Sequence, residues 1–294
     1  MHLTIISTPR PFHNEYKTIQ ENAISSWINI RGEKEIILFD KSSFDDESMK
    51  YYHNVFIDDI RKNKFGTPLI SSMIEEGQKI GNGDLFCFIN CDIILPVNFI
   101  EVIKSCNDKY EKFLMVGHRH DLELNKPIDF SKKNEVEAFW EYAKTNGEKH
   151  GPWGIDYFVF NKGVYNSIPD FAIGRFMYDN WLIWNARRNR IPVIDASNDI
   201  MVVHQNHDYN TKNFSGEISV RKSDEAKENK RLFGDAWNFG IQDSTLKIID
   251  GKVLEKASSE EKKWYLFRLR KVYPEYSFFM KIYYKITRLF FKKY

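Results

Sequence analysis

Over its first 120 residues the chain alternates short, nearly unbroken apolar runs with stretches in which apolar residues recur every three or four positions. Residues 3–8 (LTIIST) are apolar and β-branched and end at Pro9 and Pro11, which predicts a strand buried on both faces and closed by a loop. Ile19, Ala23, Ile24, Trp27 and Ile28 then recur at helical spacing, with Asn14 placed to cap the helix and Gly32 to end the turn that follows. Residues 35–40 (EIILFD) predict a second strand and 55–60 (VFIDDI) a short third. A helix over 68–80 begins near Pro68, and 84–95 (DLFCFINCDIIL) reads as one central strand. A helix over 96–106 and a strand over 113–118 complete an alternation that implies a mostly parallel, doubly wound α/β sheet.

After Asp121 the rhythm changes. A polar stretch leads to a helical piece near 135–144, the segment GPWGIDYFVFNKG over 151–163, a helix around 178–188 and a strand within DIMVVHQNH over 199–207. Residues 209–235 are polar with few large apolar positions, so 211–260 is expected to be a loop or linker. The organisation expected is a main domain over 1–210, with halves 1–120 and 121–210, then the linker, then a helical tail over 261–294.

Composition narrows the class. With 42% hydrophobic and 29% charged residues in 294, the chain is neither disordered, nor collagen-like, nor a disulfide scaffold. Lys and Arg number 43 against 41 Asp and Glu, a balance that argues against a nucleic-acid binder. The tail departs from that balance: seven Lys, three Arg and two Glu leave it at +8, against −6 over the first 260 residues. Its twelve aromatic residues among those cations suit a pair of interfacial helices broken at Pro274 and lying on anionic lipid; the alternative is a tail packed on the domain or at a dimer interface. No run of about 18 apolar residues predicts a membrane-crossing helix. Three cysteines, and a start (MHLTIISTPRPF) without the cationic and apolar regions of a secretory signal, lead us to expect a cytoplasmic protein, peripheral at most to the membrane face.

Candidate chemistry sits where apolar runs end. Asn90 and Asp92 are expected two apart on one face at the carboxyl end of the central strand, where α/β sheets bind ligands and a carboxylate can hold a divalent cation on phosphates. The alternative is that Asp92 caps the helix after Pro96. Asp179 opens the helix over 178–188, where the helix dipole favours its ionised form, or it is a simple N-cap. His204 closes an apolar strand and His207 follows it. Cys87 and Cys91 have no second pair, so a zinc site is not expected, and no P-loop, G-x-G-x-x-G, H-E-x-x-H or G-x-S-x-G occurs.

A β/α half, a short acidic motif after the fourth strand, a glycine-containing loop, an acidic helix start and a late histidine follow in that order, and in this the chain resembles GT-A fold glycosyltransferases of the nucleotide-diphospho-sugar transferase type over residues 1–210. The resemblance implies a GT-A-like, Rossmann-type α/β sandwich with a mostly parallel central sheet. Asn90-Cys91-Asp92 stands where that family has Asp-x-Asp, with an amide replacing the first carboxylate. Asp92, Asn90 and His204 would then hold the donor diphosphate and a divalent cation, Mn²⁺ or Mg²⁺, with Asp92 and His204 as protein ligands; a partly metal-independent site is the alternative. Thr8, Pro9, Arg10 and Asp40 would contact base and ribose, Asp40 accepting an N–H of a uracil-like base. Trp153, Gly154 and Asp156 would meet the donor sugar, with the backbone at Gly151 and Gly154 close to it, and His207 and Arg175 are further candidates. Arg175 would reach a diphosphate bidentately or only pair locally.

The function implied is transfer of a sugar from a nucleotide-diphosphate donor, with a UDP-sugar favoured, to a hydroxyl of a glycan or lipid-linked acceptor. Asp179 would be the general base and the transfer inverting. A retaining transferase on the same fold and a non-catalytic membrane-surface adaptor remain as alternatives. A nucleotidyltransferase fits less well, because STPRPFHNE lacks the glycines of its phosphate loop.

Overall fold

The structure is a computed structural model that describes residues 1–12, 14–40, 43, 60–124, 126–207, 220–234, 236, 238–256 and 258–276. Its first elements are β1 (Leu3–Ser7), α1 (Asn14–Ile28), β2 (Lys34–Leu38), α2 (Ile70–Ile80), β3 (Leu85–Ile89), β4 (Ile93–Ile94), α3 (Phe99–Asn107) and β5 (Leu114–Val116). Then come β6 (Arg119–Leu122), α4 (Lys133–Asn146), β7 (Glu148–Lys149), β8 (Tyr157–Asn161), α5 (Tyr178–Arg188), β9 (Val193–Asp195) and β10 (Val202–Gln205). The last are α6 (Asp224–Phe233), β11 (Leu246–Ile249), β12 (Lys252–Glu255) and α7 (Ser259–Val272). The strand expected over 55–60 falls, except for Ile60, outside the described residues, as do the side chain of Asn14 and the tail beyond residue 276.

Period-two alternation builds the core. Leu3 and Ile5 of β1, Leu85, Cys87 and Ile89 of β3, and Tyr157 and Val159 of β8 point to one layer, covered by Ala23, Ile24 and Trp27 of α1 and by α3. Ile6, Phe86, Phe88, Phe158 and Phe160 point to the other, covered by α2, α5 and Val272 of α7. Strands buried on both faces read as unbroken apolar runs, which is why these were legible. The sheet runs β12-β11-β9-β5-β8-β3-β1-β2. β8 runs against both its neighbours, β12 runs against β11, and the remaining pairs are parallel, giving the mostly parallel α/β sheet expected.

A second sheet, β4-β10-β6-β7, stands apart from the first and packs on α4 through Phe139 and Ala143. Its existence corrects one expectation. The apolar run 84–95 is two strands in two sheets, β3 and β4, joined by a turn at Asn90-Cys91-Asp92, so Asn90 and Asp92 do not share a strand face. An apolar run cannot announce such a break, because both strands are fully buried and need the same side chains.

The linker expected over 211–260 is also corrected for its described part. Residues 220–256 hold α6 and the hairpin β11–β12, which extends the central sheet, so the folded unit continues past residue 210. The hairpin turns on Asp250-Gly251, with φ of 52° and 71°, the dipeptide that tolerates two positive φ values in a row. α7 opens with a capping box in which Ser258 Oγ accepts from Glu261 N at 3.1 Å and Glu261 Oε2 accepts from Ser258 N at 2.9 Å. It packs on the domain through Arg268 and Val272. Among the described residues no helix is long and apolar enough to cross a membrane.

Candidate functional site

The two sheets meet at the carboxyl end of β3, and a cleft of about 1580 Å³ opens there. Thr8, Pro9, Arg10, Asp40, Asn90, Asp92, Trp153, Gly154, Asp156, Arg175, Asp179, His204 and His207 all line it, so the residues singled out from the sequence come together in one place. Register explains part of this. Ile89 pairs with Tyr157, which sets Asn90 against Asp156 just past the ends of β3 and β8. Asn90 N donates to Asp156 O at 3.0 Å and its Nδ2 donates to Asp156 Oδ1 at 2.6 Å, while Tyr178 Oη donates to Asn90 Oδ1 at 3.4 Å. The Asn90 amide therefore braces Asp156.

Asp92 faces two imidazoles. Its Oδ2 lies 3.1 Å from His207 Nε2 and 3.6 Å from His204 Nε2, and its Oδ1 is buried with no hydrogen-bond partner among the described residues. One ligand atom from each of Asp92, His204 and His207 falls within 4.8 Å of the others. Burial alone would raise the Asp92 carboxyl, but the charge of His204, the hydrogen bond and charge of His207 and the charge of Arg119 hold it well below the usual carboxylate range. Burial would likewise depress His204, but Asp92 and the hydrogen bond to Asp121 raise it above an ordinary histidine. The backbone of Asp92 is held from behind, its carbonyl accepting from Gln205 N and Nε2, each at 3.2 Å. Gln205 Nε2 also donates to Ile19 O at 2.8 Å, and its Oε1 accepts from Asn22 Nδ2 at 2.9 Å, which ties the turn to α1.

Three residues of this network were not singled out from the sequence. β6 and β10 run parallel with Asp121 opposite His204, so His204 Nδ1 and Asp121 Oδ1 meet at 3.1 Å. Arg119, two residues earlier on the same face, lies with Nε 2.9 Å from Asp121 Oδ1 and Nη1 3.0 Å from Asp156 Oδ2. His150 Nδ1 meets Asp121 Oδ2 at 2.5 Å. Asp121 thus links the imidazole cluster to Asp156 and to the loop carrying Trp153. The signal was the run His118-Arg119-His120-Asp121, ionisable on every position directly after an apolar strand, whose alternate residues form one polar face.

Asp179 lines the cleft in the first turn of α5. The N-cap is Met177, with φ 92°, so the capping alternative for Asp179 does not hold. Asp179 Oδ1 is shut off from solvent without a hydrogen-bond partner among the described residues, although the residue keeps some exposure. Burial pushes its carboxyl up to about 6, helped by the charge of Asp156 and partly offset by the backbone N–H groups of Asn180, Asp179 and Met177. A carboxylate so poised titrates near neutrality and accepts a proton readily.

The remaining residues differ in what they are free to do. Arg10 Nη1 donates to Tyr16 Oη at 2.9 Å, and the Tyr16 ring meets that of His207 edge-on at 5.5 Å, so the loop after β1 is joined to the imidazole cluster. Thr8 Oγ1 donates to Phe39 O at 3.1 Å. Asp40 has φ 73° and accepts from Lys62 Nζ at 2.9 Å, which occupies one of its oxygens. Trp153 is 47% exposed in the cleft rather than packed in the core. At Gly154 a Cβ would come within 2.5 Å of the His150 ring, so this glycine makes room for His150. Arg175 lines the cleft and pairs with the buried Glu225, Nη2 to Oε2 at 2.5 Å.

Comparison with protein-family models and with curated proteins gives no match. Among solved structures, that of S. aureus TarS 1-349 in complex with UDP-GlcNAc is 12% identical, covering 92% of this chain and 80% of that one at a TM-score of 0.49. TarS 1-349 in complex with UDP is 11% identical over the same shares, at 0.43. The mannosyltransferase PcManGT from Pyrobaculum calidifontis, in complex with GDP-Man and Mn²⁺, is 12% identical and covers 69% of this chain and 56% of that one, at 0.41.

Proposed function

We propose that this chain is a GT-A-type glycosyltransferase that moves a sugar from a nucleotide-diphosphate donor to a hydroxyl acceptor with inversion. One juxtaposition carries the reading: a carboxylate–imidazole cluster around Asp92 and a carboxylate raised to about 6 at Asp179 line the same cleft. The first suits a cationic diphosphate site and the second a general base.

The donor set fits a divalent cation. Asp92 Oδ1 is buried and unpartnered among the described residues, and a carboxylate with two imidazoles suits Mn²⁺ better than Mg²⁺, which prefers an all-oxygen shell. Asp92, His204 and His207 would hold the ion, and its chemistry would be to neutralise charge on the diphosphate. The chain's own groups do the rest. Ionised Asp179 takes the acceptor hydroxyl proton as that oxygen bonds to the anomeric carbon; the bond from that carbon to the diphosphate oxygen breaks, and the diphosphate leaves with its electron pair. Asp156, held by Asn90 and Arg119, is the candidate acceptor for donor-sugar hydroxyls, and Trp153 offers a face to the ring.

Thermal shifts with UDP, GDP, CMP and TDP, each with Mn²⁺ and with EDTA, test the reading. A ligand at a hundred times its Kd stabilises the native state by about 2.7 kcal/mol, so one nucleoside diphosphate with Mn²⁺ should raise Tm clearly above its EDTA control. No shift with any nucleotide would return the chain to the adaptor alternative.

Asp121→Asn is expected to weaken Mn²⁺ binding by about tenfold or more, because His204 Nδ1 loses its ionised partner. Titration of Mn²⁺ by electron paramagnetic resonance reads this directly, and unchanged affinity would place Asp121 outside the cation site's support. A glycan or lipid-linked acceptor at the cytoplasmic membrane face belongs to the same proposal, motivated by exposed Tyr265, Phe267 and Tyr276 and the basic tail. Co-sedimentation with anionic vesicles should fall sharply in a chain ended at residue 276.

A further inference from the structure

α7 does more than extend the domain. Its Arg268 is buried and binds the buried Asp243 with both arms of its guanidinium, Nε to Oδ1 at 2.7 Å and Nη2 to Oδ2 at 3.1 Å. Trp264 Nε1, one helical turn earlier, also donates to Asp243 Oδ1 at 3.0 Å, and Gly240 N donates to Oδ2 at 2.9 Å. Arg268 Nη2 further donates to Asn238 O at 2.5 Å, and its guanidinium lies 3.9 Å over the Phe239 ring. The short turn 238–243 is therefore locked from the side of α7.

The other side of that turn touches α5 at two points and the loop carrying Trp153 at a third. Asn180 Nδ2 donates to Phe239 O at 2.7 Å, and Arg187 Nη1 donates to Asp243 O at 2.9 Å. These residues stand two turns apart on one face of α5, so the helix that begins with Asp179 is clasped along its length. Ile241 N donates to Pro152 O at 3.1 Å, which holds the loop carrying Trp153. A Cβ at Gly240 would sit 2.5 Å from Pro152 O, so only glycine permits this approach.

We infer that Arg268 is a positioning residue: through its bidentate pair with Asp243 it sets the turn 238–243, and that turn fixes both the start of α5 at Asp179 and the Pro152–Trp153 loop. The inference rests on the functional reading above only for what those two segments do, not for the coupling between them. α7 is then part of the catalytic unit, and displacing it loosens the base and the donor-side loop together.

Hydrogen–deuterium exchange on the full chain tests the coupling without any assay of activity. In Arg268→Met, exchange over 150–156 and 177–182 should quicken by about tenfold or more while the β1 and β3 amides stay unchanged. Gly240→Ala should quicken 150–156 while leaving α7 as it was. An increase confined to 238–243 and 259–272, or spread evenly over the chain, would overturn the inference. If Arg268→Met does not fold, Trp264→Phe removes one donor to Asp243 and keeps the pair; an even rise there would likewise assign α7 to general stability. A kcat that falls more than the donor KM rises, with partial rescue in Arg268→Lys, is expected if the transferase reading stands. The exchange result decides the coupling even where no transfer is found.

Discussion

Asp179→Asn should lower sugar transfer by about 10² to 10⁴-fold while leaving the nucleotide-dependent thermal shift in place. Asn keeps the shape of the side chain and removes only the ability to take a proton. The wild-type rate should rise with pH through about 6, the value to which burial and the charge of Asp156 push this carboxyl, because only the ionised form is a base. The same shift has a consequence for stability. A carboxyl whose folded pKa lies above its unfolded one favours folding most at low pH, and that contribution is lost as pH rises through the folded value. At pH 7 the ionised group therefore opposes folding by on the order of 2 kcal/mol, allowing for its partial exposure, and Asp179→Asn should be as stable as the wild type or more so. Initial rates across pH 5 to 8 with melting curves of both proteins check this. A variant that transfers sugar at the wild-type rate would remove Asp179 from the chemistry and leave a retaining course, with Asp179 on the donor, as the transferase reading to pursue.

Asp92→Asn should abolish the Mn²⁺-dependent part of the nucleotide shift and lower transfer by about 10² to 10³-fold, the range for losing a preorganised charge at a leaving group. Asp92 is the carboxylate that His204 and His207 both face, and its buried Oδ1 has no partner among the described residues. Without a cation, the depressed pKa of Asp92 stabilises the fold above the ordinary carboxylate range and that stability is lost as pH falls through the folded value. His204 is raised, so its contribution is present below about 6.5 and lost as pH rises through its folded value. A cation must displace the His204 proton, so Mn²⁺ affinity should increase from pH 6 to pH 8. Mn²⁺ titrations at both pH values, on wild type and variant, read this. Equal affinity at the two pH values, or an unaltered Mn²⁺ shift in the variant, would sink the assignment of these three residues to the ion.

Legibility tracked how much of a residue's role was local. Strands β1, β2 and β3 and helices α1, α2 and α5 were readable because full burial demands unbroken apolar runs or a 3.6-residue stripe. The three-residue β9 was missed because so short a strand leaves almost no periodicity, and the hairpin β11–β12 was taken for linker although Asp250-Gly251 marked its turn. Asp179, His204 and Asp92 stood out because each ends or opens an element. Arg119, Asp121 and His150 did not, because their partners on other elements are 29 to 83 positions away in sequence and only strand register brings them together.

The sequence by itself determined the α/β alternation, the mostly parallel sheet and the set of polar residues at element ends, because burial and periodicity act residue by residue along the chain. Only the tertiary structure decided that Asn90 bonds Asp156, that Arg175 pairs with Glu225, that His207 joins Asp92 and His204, and that α7 reaches back to the turn beside Asp179. Those outcomes depend on which polar atoms meet once two sheets and a helix are packed. Each is a contest among several acceptors for one donor that no local pattern records.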